Sequence, residues 1–74
     1  MKQYTVYYVI KMNGQAYTYA LDVKANNASE AIREIKRGVL ARTGRNAFTP
    51  TTKAPTNPSV EVIRGMPPSK DGML

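Results

Sequence analysis

Few side chains in this sequence could move a proton or hold a metal. Five carboxylates, Asp22, Glu30, Glu34, Glu61 and Asp71, are spread over 74 residues that include no Cys and no His. Paired-carboxylate catalysis needs two acids converging in a pocket. Glu30 and Glu34 share a helical face, but that face points to solvent, and Glu30 stands where a helix cap would use it. Ser29, Ser59 and Ser69 have no imidazole to activate them, and every Lys reads as exposed. Without Cys or His, disulfides, zinc sites, haem ligation and thiol or imidazole catalysis are excluded. No Gly-rich turn follows a strand and opens a helix, so no phosphate cradle is present; Gly44-Arg45-Asn46 reads as a cap. A chain this short also lacks the volume for a substrate pocket beside its core. The expectation is a binding module: not an enzyme, with no metal and no cofactor.

Charge points to what it binds. Eleven Lys and Arg oppose five Asp and Glu, a net charge of +6, which favours nucleic acid, anionic membranes or acidic protein faces. Two surfaces are candidates. The first is the outer stripe of a helix, where Arg33, Lys36, Arg37 and Leu40 follow i, i+3, i+4, i+7 spacing, with Arg42 and Arg45 adding charge beyond it. A positive rim around one exposed apolar residue can both steer and anchor an acidic protein partner. The second is a sheet face carrying Tyr7 and Val9 with Thr5, Thr18 and Ala20, flanked by Lys11 and Lys24. Sheets that bind RNA or DNA place exposed aromatics beside basic groups in this way. A docked protein is the first reading and direct nucleic-acid binding the alternative, with a small structural or dimerising component a third. The bland account of the helix stripe is a solvated face with cations near the helix C-terminus.

The elements that must carry these residues are legible in part. Lys2 to Met12 and Gln15 to Lys24 are rich in Tyr, Val, Thr and Ile, and Asn13-Gly14 between them is the strongest short hairpin signal, because a type I′ turn needs positive φ at both central residues. A two-residue loop pairs Met12 with Gln15, Ile10 with Tyr17, Tyr8 with Tyr19, Val6 with Leu21 and Tyr4 with Val23. One face is then large and apolar, while the other carries Lys11, Val9, Tyr7, Thr5 and Gln3. Slipping by one residue would exchange the faces. Four of the five tyrosines thus fall in the core rather than on a binding face. Asn27 and Glu30 read as an N-cap and its partner. Ala28, Ala31, Ile32, Ile35 and Val39 recur at helical spacing, predicting a helix to about Arg42 and a core of Ala31, Ile32, Ile35 and Val39 against the apolar sheet face.

Residues 45–58 contain Pro50, Pro55 and Pro58, which predicts a long ordered loop with Phe48 pinning it to the core. Val60 to Arg64 reads as a third strand and residues 65–74 as a disordered tail. The expected fold is α+β in the order β-β-α-β: one domain over residues 1–64, with a three-stranded sheet, an N-terminal antiparallel hairpin and one helix on a single face. A right-handed crossover would place the last strand parallel to the second or antiparallel to the first. A domain of this size buries only about 60% of the surface its unfolded chain exposes. The longest apolar stretch, Val6 to Ile10, is too short to span a bilayer, and no signal-like segment is present. A cytoplasmic monomer or homodimer that does not enter membranes is the default.

The layout of strand, tight turn, strand ending in Val23-Lys24-Ala25, then Ser29-Glu30-Ala31 opening a helix, resembles several small phage and mobile-element proteins. Over about residues 4–40 the chain is similar in size and order of elements to phage-encoded inhibitors of host RNA polymerase. It also resembles the arm-site DNA-binding domain of phage-type integrases. It departs from the integrase pattern in placing a strand after the helix, and from the polymerase inhibitors in its Pro-rich loop and basic helix face. The resemblance implies a phage or mobile-element origin and carries over no functional residues; the expectation is an accessory or regulatory protein that docks on a protein partner in the nucleic-acid machinery of a bacterial host cell.

Overall fold

The computed structural model describes residues 1–69, which form β1 (Lys2–Met12), β2 (Gln15–Ala25), α1 (Ala28–Thr43), β3 (Phe48–Thr51) and β4 (Val62–Arg64). Asn13 and Gly14 both take left-handed backbone angles, with φ of 53° and 77°. That is the twist a two-residue hairpin loop demands. The register that follows runs without a break from Met12↔Gln15 through Tyr8↔Tyr19 to Lys2↔Ala25. Val6, Tyr8, Ile10 and Tyr19 are buried on the helix side, where the Tyr8 and Tyr19 rings stack with centroids 6.1 Å apart.

Local chemistry fixes both ends of α1. The Asn27 side chain accepts the Glu30 backbone N–H at 2.9 Å, and the Glu30 carboxylate reaches back to the Asn26 N–H at 3.3 Å. At the other end Gly44 adopts φ 73° and its N–H closes on the Leu40 carbonyl at 2.9 Å. The helix therefore runs through Gly38 and stops at Gly44. Thr43 is buried there, donating to the Val39 carbonyl at 2.6 Å and accepting the Arg45 N–H at 3.1 Å. Ala31, Ile35 and Val39 face the sheet and are buried, with Ile32 half-buried beside them.

The sheet has four strands rather than three, in the order β3-β1-β2-β4. The additional strand is β3, inside the segment expected to be loop. It pairs antiparallel with β1 through Val9↔Phe48 and Tyr7↔Thr51. Two residues, Thr49 and Pro50, there oppose one on β1, and Thr49 takes φ 47°. Pro50 is tolerated because β3 is an edge strand with a bulge. Phe48 does not pin the segment to the core. It stands opposite Val9 on the face away from α1 and stays 42% exposed, while its neighbour Ala47 is buried instead.

β4 is shorter than the strand expected from Val60 and runs parallel to β2. Both placements allowed by a right-handed crossover are thus occupied, by different strands. β2, β3 and β4 run one way and β1 the other. The chain travels from β2 to β3 by way of α1 on one face. It returns from β3 to β4 across the other, because Lys53, Pro55 and Val60 line a cavity with Tyr7, Val9 and Thr18 of the opposite sheet face. Going out over one face and back over the other gives both crossovers the same hand, as the handedness rule requires. We call residues 52–61 the strap. Its order is local: Asn57 accepts from the Ser59 N–H at 3.0 Å and the Ser59 hydroxyl at 2.8 Å.

Residues 65–69, expected to begin a disordered tail, make contacts in this structure. The Gly65 N–H donates to the Ala20 carbonyl at 3.1 Å, Pro67 is buried, and Arg45 Nε donates to the Pro68 carbonyl at 3.0 Å. Residues 70–74 of that expected tail lie outside the described residues.

Candidate partner-binding groove

The helical period turns Ala31, Ile35 and Val39 inward, so residues about a third of a turn away must meet solvent. Along that flank Ser29, Ile32, Arg33, Lys36, Arg37 and Leu40 form one wall of a groove of about 730 Å³. The chain leaving α1 for β3, Asn46 to Phe48, forms the other wall. Leu40 is 49% exposed and Ile32 half-buried, so the floor between them is apolar and reachable. All four residues of the expected stripe, Arg33, Lys36, Arg37 and Leu40, meet here.

The cations of the rim are not equivalent. Arg37 Nη2 donates to Glu34 at 2.6 Å, a surface ion pair one helical turn apart. Such pairs are worth well under about 1 kcal/mol. Arg33 and Lys36 make no ion pair or hydrogen bond among the described residues. Lys11, expected to flank the other sheet face, extends its Nζ over the Phe48 ring, 4.9 Å from the centroid. That cation–π contact holds Lys11 on the sheet face away from α1, outside the residues that line the groove.

Other expected site residues lie elsewhere. Arg42 is nine positions on from Arg33, about half a turn round the helix, and does not line the groove. It sits in the last helical turn, where a cation complements the helix C-terminus. Arg45 is half-buried and tied to Pro68, lining a small cleft with Lys11, Gly44, Asn46 and Phe48. Tyr7 and Val9 do not present an open face. They are half-buried beneath the strap, around a cavity of about 270 Å³, and Ala20 on the same face is only 2% exposed. Lys24 is exposed beside Gln3, Asp22 and Val23 at the opposite end of the hairpin from Lys11.

Three of the carboxylates are placed in structural roles, while Glu61 is exposed in the strap. Asp22 accepts from the Thr5 hydroxyl at 2.6 Å and from Gln3 at 3.4 Å across the hairpin, Glu30 caps α1, and Glu34 holds Arg37. Asp71 lies outside the described residues. Among the described residues no three His, Cys, Asp or Glu side chains cluster to hold a metal, and no helix is long and apolar enough to cross a membrane.

The sequence reading missed Ile32, Ala47 and Phe48 as groove residues. Ile32 carries the same periodic signal as the core positions and sits at the boundary of the buried face. Ala47 and Phe48 join the site only because β3 pairs with β1, and nothing local announces that pairing. Fold and groove together define a class: a small α+β domain with one helix on a mixed four-stranded sheet and a cation-rimmed apolar groove beside that helix. No family model matches the chain, and neither a curated protein nor a solved structure does.

Proposed function

We propose that the chain is a non-enzymatic binding module that docks an acidic, partly apolar segment of a protein partner in the groove between α1 and Asn46–Phe48. The resemblance to small phage regulators makes host nucleic-acid machinery the place to look for that partner. The observation that carries the reading is the convergence of Arg33, Lys36, Arg37 and Leu40 on one apolar-floored groove. Cations alone attract any polyanion, whereas a floor of Ile32, Leu40 and Ala47 gives a protein side chain somewhere to be desolvated. The strap supports the same choice, since it covers Tyr7 and leaves the sheet face poorly suited to stacking bases.

The test is a pulldown from bacterial lysate with wild type, Leu40→Ala and Lys36→Ala, each with and without nuclease and at several salt concentrations. Docking on a protein predicts a nuclease-resistant complex, weakened about as much by Leu40→Ala as by Lys36→Ala, with a residue surviving moderate salt. Nucleic-acid binding predicts that Leu40→Ala is silent. Each lost cation would then lower the salt slope by about one, because each phosphate contact releases a counterion. That second pattern would overturn the reading.

A further inference from the structure

The groove constrains the shape of what fills it, provided the docking reading above holds. One way to fill a cleft beside a sheet edge is to add a strand, which takes its affinity from a ladder of main-chain hydrogen bonds. The edge offered here is β3, four residues long. Pro50 has no N–H to give, and Thr49 at φ 47° turns the backbone out of the extended conformation. A ladder started at that edge is broken by its second rung. An extended occupant would gain little from the backbone of this wall.

The other wall is regular. From Ser29 to Leu40 it spans three turns of α1, about 17 Å at 1.5 Å per residue. Its cations Arg33, Lys36 and Arg37 and its apolar residues Ile32 and Leu40 recur at helical spacing. Side chains at that spacing form ridges, and the surface that interdigitates with such ridges is another helix. A row of charges repeating every three to four residues is likewise matched by acids repeating every three to four residues.

We infer that the partner segment is an amphipathic acidic helix, lying along α1 with an apolar i, i+4, i+7 stripe in the groove and carboxylates toward Arg33, Lys36 and Arg37. Two synthetic peptides of identical composition, built from Glu, Leu and Ala and blocked at both ends, test this. One carries leucines at i, i+4 and i+7; the other carries them at alternate positions. Both are titrated by fluorescence anisotropy against the full chain and against Leu40→Asp, a change at a 49% exposed position whose fold is checked by circular dichroism. The helix-period peptide should bind at least tenfold tighter, gain helical signal on binding and lose affinity in Leu40→Asp. Equal or tighter binding of the alternating peptide, still sensitive to Leu40→Asp, would overturn the helical occupant and leave the docking site standing. If neither peptide distinguishes wild type from Leu40→Asp, the docking reading falls with it.

Discussion

Tyr8 shows how one buried hydroxyl ties stability to pH. It is 1% exposed, stacks on Tyr19, and its hydroxyl donates to the Gly65 carbonyl at 3.4 Å. Burial disfavours the phenolate, and the neighbouring Tyr19 adds to that, so the group is pushed up from 10.0 to about 12. A raised folded-state value means the folded form keeps the proton longer than the unfolded chain does. The contribution is complete below pH 10 and is lost as the pH rises toward 12. Its size is on the order of 2–3 kcal/mol, since each unit is worth about 1.4 kcal/mol. Denaturation midpoints should fall over that interval, and Tyr8→Phe should flatten the fall; an unchanged slope in the variant would assign the alkaline loss to other groups. At this scale the sequence was informative: period-two alternation placed Tyr8 inside and Tyr7 outside. It could not show that Tyr7 would be roofed, because the roof is a segment more than forty residues away.

Elements differ in how strongly their sequence declares them. β1 and β2 pair through a loop whose two residues admit one turn type, so the ladder from Met12↔Gln15 to Gln3↔Lys24 followed from Asn13-Gly14 and the alternation, while the last pair, Lys2↔Ala25, takes in a residue that reads as turn. α1 followed from its Asn27 cap and its period. β3 was not legible, because four residues with Pro50 in the middle read as loop by every local rule. Its strand character comes from the free edge of β1, a tertiary cause. The groove was therefore half legible: helical spacing put Arg33, Lys36, Arg37 and Leu40 on one stripe of α1, and the Asn46–Phe48 wall was hidden with β3. The helix also offers a test of its own. Gly38 lies in the interior of α1, and a Cβ built there meets nothing within 4 Å. Gly38→Ala removes backbone freedom from the unfolded chain without a clash, and should stabilise the protein by about 0.5–1 kcal/mol. Thermal unfolding would register this as a rise of several degrees for a domain of this size. A fall instead would mean that Gly38 serves a contact outside the folded monomer.

The whole molecule is a plate, with extents of 34 × 30 × 17 Å. Its two broad sides are closed differently: α1 and residues 65–69 close one, and the strap crosses the other. That plan was not legible either, since it needs β3 and β4 at opposite edges of one sheet. The strap differs from the rest in that Lys53 through Glu61 are all exposed, and its hydrogen bonds are short-range turns. β4 and the residues after it are held by other means: pairing with β2, the Gly65–Ala20 bond, the burial of Pro67 and the Arg45–Pro68 bond. These contacts predict that β4 keeps its place when the strap is cut. Limited trypsin cleavage after Lys53 should yield a nicked protein that still elutes as one particle and parts into two fragments only in denaturant. Separation under native conditions would show that the strap itself holds the last strand. If the nicked form stays whole, the final segment of the chain is an interchangeable part. A fragment bearing β4 supplied separately would complete a truncated copy, and two copies could trade their last strands by exchange across the strap.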